Sequence, residues 1–93
     1  MTEQLKEQIA KAAAALKKAG AREVYVFGSA ITERFTEESD IDLAVSGLPP
    51  ERFFRAMGVA ARILRREVDL IDLDEDNPFT QCLREEGELV RVG

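Results

Sequence analysis

The runs Val24-Tyr25-Val26-Phe27-Gly28-Ser29 and, after ten intervening residues, Asp40-Ile41-Asp42-Leu43-Ala44-Val45 decide how this chain is read. The first, counted from Glu23, is a β-branched and aromatic stretch that stops at a glycine. It predicts a short strand over Glu23–Phe27 that is apolar on both faces, with Tyr25 as a packing residue. Gly28 lets the backbone come close to a ligand, and residues 29–35 are suited to a short helix entered directly from it. The first turn of such a helix offers unpaired N–H groups to an anion, and Ser29 adds a hydroxyl at the same place. A Gly-Ser turn alone is equally well a structural turn. In the second run the side chains alternate, with Ile41, Leu43 and Val45 on one face and Asp40, Asp42 and Ala44 on the other. The two aspartates emerge about 7 Å apart along the strand and repel each other. A divalent cation between them would relieve that repulsion. The residues leave open the plainer alternative of a solvent-facing edge strand.

Outward from this centre, Leu5, Ile9, Ala12, Ala13 and Leu16 recur at helical spacing before Gly20, predicting an N-terminal helix with a small-residue face. Pro49-Pro50 opens a second long helix whose expected buried stripe is Phe53, Met57, Ala61 and Leu64. A strand over Glu67–Ile71 follows, with Asp69 set among Val68, Leu70 and Ile71. A carboxylate inside an apolar strand is costly unless it is paired or metal-bound. Arg65 and Arg66 are candidate partners for it. Asp74, Glu75 and Asp76 read as a solvated turn. A helix over Phe79–Glu85 and a strand over Glu88–Val92 close the chain. The alternation of helices and strands predicts an α/β (α+β) fold, a small sheet backed by helices, with strand directions left open. Three carboxylates on adjacent strands suit two oxygen-ligated Mg²⁺ ions bridging a triphosphate.

At 93 residues, one compact domain over residues 1–93 is expected. Its core is modest, so a large substrate needs surface from a partner. The net charge is -5, which argues against general nucleic-acid binding. Arg62, Arg65 and Arg66 form the one dense basic run, either a solvated helix end or a small anion-reading patch. With no histidine and one cysteine, Cys82, the chain contains no Ser-His-Asp or Cys-His pair and no internal disulfide, and it lacks the usual zinc ligand set. Cys82 reads as a packing residue or a surface thiol. No apolar run approaches the roughly 20 residues of a membrane span, and the N-terminus is amphipathic rather than signal-like, so a cytoplasmic protein is expected.

Gly28-Ser29, ten residues, Asp40-Ile41-Asp42-Leu43, and then Val68-Asp69-Leu70-Ile71 together resemble the nucleotidyltransferase superfamily related to DNA polymerase beta, specifically its minimal MNT-type members. The motif-bearing stretch, Val24 to Ile71, is roughly half of the chain, and Leu83-Arg84-Glu85-Glu86-Gly87 is similar to the tail of minimal members. The resemblance implies a minimal nucleotidyltransferase fold with a small mixed sheet. It implies that Asp40, Asp42 and Asp69 are catalytic and ligate Mg²⁺, that Asp69 also helps to deprotonate the acceptor, and that Gly28 and Ser29 contact the phosphates of ATP. One departure stands out. Many relatives carry an arginine within a Gly-Ser-x-Ala-Arg-Gly-like string, whereas this chain reads Ala30-Ile31-Thr32-Glu33-Arg34, with no arginine at that place and with Glu33 adding negative charge near the expected phosphates.

Minimal members are typically paired with a HEPN toxin. The resemblance therefore implies an adenylyltransferase antitoxin that moves AMP from ATP to a hydroxyl of its HEPN-type partner, with homo- or hetero-oligomeric assembly left open. Two other functions remain: a binding module of the same fold that neutralises its partner by contact, and a small-molecule nucleotidyltransferase. The latter activity usually comes with an additional substrate-binding helical domain.

Overall fold

The computed structural model describes residues 2–28, 39–85, 87 and 89–92. The expected helix over residues 29–35 lies outside them. Helix α1, Glu3–Lys18, begins where the Thr2 hydroxyl accepts the Leu5 amide at 3.1 Å. Its buried side is the predicted set, Leu5, Ile9, Ala12, Ala13 and Leu16. Strand β1 is Glu23–Phe27, β2 is Ile41–Ser46, α2 is Pro50–Leu64, β3 is Val68–Asp72, α3 is Pro78–Glu85 and β4 is Val90–Arg91. The last strand is shorter than the expected Glu88–Val92.

The sheet is mixed, in the order β3-β2-β1-β4. β1 runs antiparallel to β2 and to β4, while β2 and β3 are parallel. A parallel neighbour needs a crossover connection, and α2 supplies it. Register puts Val24 opposite Val45 and Val26 opposite Leu43, and it continues from Ile41 to Val68 and from Leu43 to Leu70. These residues share one apolar face that is closed off from water with α1 and α2.

α2 departs from its expected stripe. Its fully buried residues are Ala56, Ala60 and Leu64, while Phe53, Met57 and Ala61 pack only partly against the core. The helix lies against both α1 and β3. Close approach on two sides selects alanine for the innermost row and moves the phenylalanines to the flank. α2 ends on Arg65 at φ 56°, a left-handed cap more often made by glycine.

The acidic turn after β3 does more than face water. The Gly47 amide donates to the Asp74 carboxylate at 2.6 Å, and the Leu73 amide to the Val45 carbonyl at 2.8 Å. Gln81 donates to Asp76 at 2.8 Å, and the buried Thr80 hydroxyl donates to the Glu75 carbonyl. The short Asp residues thus tie the end of β3 to the end of β2 and to α3.

Two substitutions test this packing. Leu43→Ala, in the fully buried centre of the sheet, is expected to lose about 2–5 kcal/mol of unfolding free energy. Ala60→Leu is expected to lose about 1–3 kcal/mol by overpacking. Urea unfolding followed by circular dichroism measures both, and wild-type midpoints would contradict the packing described.

Candidate active site

The site grows from the end of β1. Gly28 has φ +72°, a backbone conformation that disfavours an L side chain. The space beside it is narrow as well. A Cβ on Gly28 would collide with Oδ2 of Asp42 and stand 3.2 Å from its Cγ. The pairing explains this closeness, because Phe27 is the cross-strand partner of Asp42 and Gly28 is the next residue. The glycine turn lies directly against the carboxylate.

Asp42 in turn pairs in register with Asp69 across the parallel β2–β3 ladder. Matched positions on neighbouring strands, about 4.8 Å apart, send their side chains to the same side of the sheet. That side is opposite the apolar face on which Leu43 and Leu70 lie. Burial pushes the half-buried Asp42 carboxyl above the usual carboxylate range. The negative charge of Asp69, a hydrogen bond with it and the charge of Asp40 push it the same way. Asp40, immediately before β2, and Asp69 are both exposed.

The structure removes the plainer reading of the Asp-x-Asp strand. β2 lies inside the sheet, between β3 and β1, and is not an edge. Ala44, on the aspartate side, is fully buried, so the expected polar alternation ends after Asp42. The reading of Asp69 also changes. It is exposed, on the side of the edge strand β3 away from the buried Val68 and Leu70, so desolvation is not what sets it apart. Its adjacency to Asp42 is.

Arg66 has a role that the sequence did not signal. Its Nη1 donates to the Ser39 carbonyl at 3.1 Å, and the Ile41 amide donates to the Glu67 carbonyl at 3.1 Å. These two bonds fasten the segment that carries Asp40 to the entry of β3. Neither described ion pair, Lys6–Glu3 or Arg91–Glu23, involves the three aspartates. Ser29 lies outside the described residues.

Chemically, the arrangement offers hard oxygen donors and crowded negative charge, the setting that a Mg²⁺-class cation neutralises. The donors are not gathered into a finished cage. Among the described residues, no group of three or more His, Cys, Asp or Glu side chains is arranged to hold a metal ion. No helix among the described residues is long and apolar enough to cross a membrane.

Comparison with known proteins agrees with the geometry. A toxin–antitoxin complex solved with AMP-PNP is similar at TM-score 0.69 and 26% identity, over 90% of this chain and 70% of that one. A mutant form of an MntA–HpeT toxin–antitoxin pair is similar at TM-score 0.65 and 25% identity, over 97% of this chain and 72% of that one. The MntA–HepT toxin–antitoxin complex, at 23% identity and TM-score 0.63 over 95% of this chain and 70% of that one, shares the fold. No curated protein matches the chain by sequence. The polymerase beta nucleotidyltransferase family model matches residues 7–91, nearly the whole length and all of the strands and aspartates described above. With glycine turn, paired carboxylates and mixed sheet in agreement with that match, the chain belongs to the polymerase beta nucleotidyltransferase family.

Proposed function

We propose that this chain is a Mg²⁺-dependent nucleotidyltransferase, acting over residues 1–93 as one domain, that moves AMP from ATP to a hydroxyl of a HEPN-type toxin and serves as its antitoxin. The observation that carries the reading is Asp42 in register with Asp69 and against Gly28. The partner and the nucleotide are supported by likeness to the toxin–antitoxin complex solved with AMP-PNP, at 26% identity.

In this reading Asp40, Asp42 and Asp69 hold Mg²⁺, whose chemistry is to neutralise the triphosphate and the charge that develops on it. The family pattern assigns the phosphate contacts to Gly28 and Ser29, and Gly28 lies beside the Asp42 carboxylate. The acceptor oxygen bonds to the α-phosphorus as the bond from that phosphorus to the pyrophosphate oxygen breaks. The acceptor proton passes to the exposed Asp69 carboxylate. Positioning and charge do the work, so no protein nucleophile is required.

A second reading, neutralisation of the partner by contact alone, is favoured by two observations. The described carboxylates are not gathered into a three-ligand cage, and no arginine follows Gly28-Ser29 at the expected place.

Labelled ATP, Mg²⁺ and the HEPN-type protein encoded beside this chain should give a labelled partner. Failure to transfer from any of the four ribonucleoside triphosphates, with Mg²⁺ binding retained, would sink the reading. Asp42→Asn should slow transfer by about 10²–10³-fold or more. It should also stabilise the metal-free protein at neutral pH. A carboxyl whose pKa is raised by folding opposes folding once pH exceeds the unfolded value, near 3.8. The gain should fade as pH falls through the carboxylate range. Melting temperatures across pH measure this, and the Mg²⁺-dependent rise expected of wild type should vanish in the variant. Gly28→Ala should reduce transfer at least about tenfold, because its methyl group displaces the Asp42 carboxylate. Asp40→Asn with Asp42→Asn decides between the two readings: a partner still neutralised by that double variant is neutralised by contact.

A further inference from the structure

The molecule has a second candidate surface, on the edge of the sheet and displaced from the carboxylate pair toward the other end of β3. A cavity of about 430 Å³ opens between the first turn of α2, the end of β3 and the start of α3. Phe53, Phe54, Leu70, Ile71 and Phe79 supply its apolar lining. Among the described residues the exposed large apolar side chains are Phe54, Phe79 and Val90, and two of the three border this one cavity. Phe54 is 77% exposed and Phe79 53%. Single exposed apolar residues are ordinary, whereas two aromatics converging on a hollow mark a contact surface. Phe53 meets Phe54 edge to face at 5.8 Å, which steadies the projecting ring.

Charge selects the occupant. Asp72 and Glu75 are the charged residues that line the cavity, and no lysine or arginine lines it. A phosphate-bearing ligand would be repelled, and a cationic one drawn in. We infer that this groove docks a protein partner through an apolar helical anchor flanked by Lys or Arg, the acidic rim meeting the basic flanks. Because the lining comes from side chains of α2 and α3 as well as β3, the groove suits a helix laid into it rather than an added strand. The inference rests on the reading that the chain works with a protein partner. It adds that the partner is gripped away from the carboxylates, so docking leaves Asp42 and Asp69 open.

The test uses the full chain and two synthetic helical peptides of about five turns, each with Leu and Phe on one face, one flanked by Lys and the other by Glu. Fluorescence anisotropy should give a Kd of about 1–100 μM for the Lys-flanked peptide and at least about tenfold weaker binding for the Glu-flanked one. Added salt should narrow the gap. Phe54→Ser with Phe79→Ser should abolish binding of the Lys-flanked peptide while leaving the melting temperature and Mg²⁺ binding unchanged. Equal binding of the two peptides, no binding of either, or binding that survives the double Ser variant would overturn the inference. Displacement of the peptide by ATP would also overturn it. So would wild-type dimers that the double variant loses in analytical ultracentrifugation, which would make the occupant a second copy. Asp42→Asn keeps the two proposals apart. If it binds peptide normally while no chain transfers AMP, only the activity falls. If the double Ser variant labels the HEPN-type partner as well as wild type does, only the groove falls.

Discussion

Two carboxylates held side by side on neighbouring parallel strands are the constraint around which the rest of this fold is arranged. Asp42 and Asp69 face each other because β2 and β3 run in the same direction in matched register. That direction exists only because α2 carries the chain back over the sheet. The helix needs an apolar bed, and the residues alternating with the aspartates, Ile41, Leu43, Val68 and Leu70, provide it on the other face. One ladder therefore serves two opposed purposes, a dry side that stabilises and a charged side that repels. The repulsion is tolerated because core burial over the rest of the sheet outweighs it.

The glycine turn belongs to the same constraint. With the Asp42 carboxylate against it, Gly28 could take a side chain only by moving that carboxylate. The Gly28 backbone and the Asp42 carboxylate therefore lie close together. Remote parts of the chain support this corner through specific bonds. Arg66 and Glu67 hold the approach to Asp40, and Asp74 and Leu73 close the far ends of the two strands.

Much of this was legible in the sequence, and the parts that were not have physical reasons. The buried side of α1 follows the apolar pattern residue by residue, because one neighbouring surface governs it; β1 keeps its expected bounds but buries only Val24 and Val26, with Tyr25 and Phe27 half-buried and the Tyr25 hydroxyl donating to Glu23. α2 did not follow its pattern: Phe53 and Met57 look like core by hydrophobicity, but a helix packed on two sides favours Ala56 and Ala60 inside. Asp69 was picked out for the wrong reason, since a sequence does not say which strand lies at the edge. The carboxylate pairing was signalled by spelling, whereas the Arg66 clasp joins residues far apart in the chain and leaves no local trace. Asp74 and Asp76 read as solvent-facing charge, and they are exposed, yet each accepts a hydrogen bond that closes a corner.

An edge strand usually frays, because it is paired on one side only. β3 is stapled at both of its ends, by the Ile41–Glu67 and Arg66–Ser39 bonds at its start and the Leu73–Val45 and Gly47–Asp74 bonds at its finish. Asp69 consequently stays opposite Asp42, at a backbone separation set by the interstrand spacing, while each carboxylate turns on its own side-chain torsions. In the function proposed above, a cation would thus meet two anchored backbones, with only the carboxylate torsions left to adjust to its size.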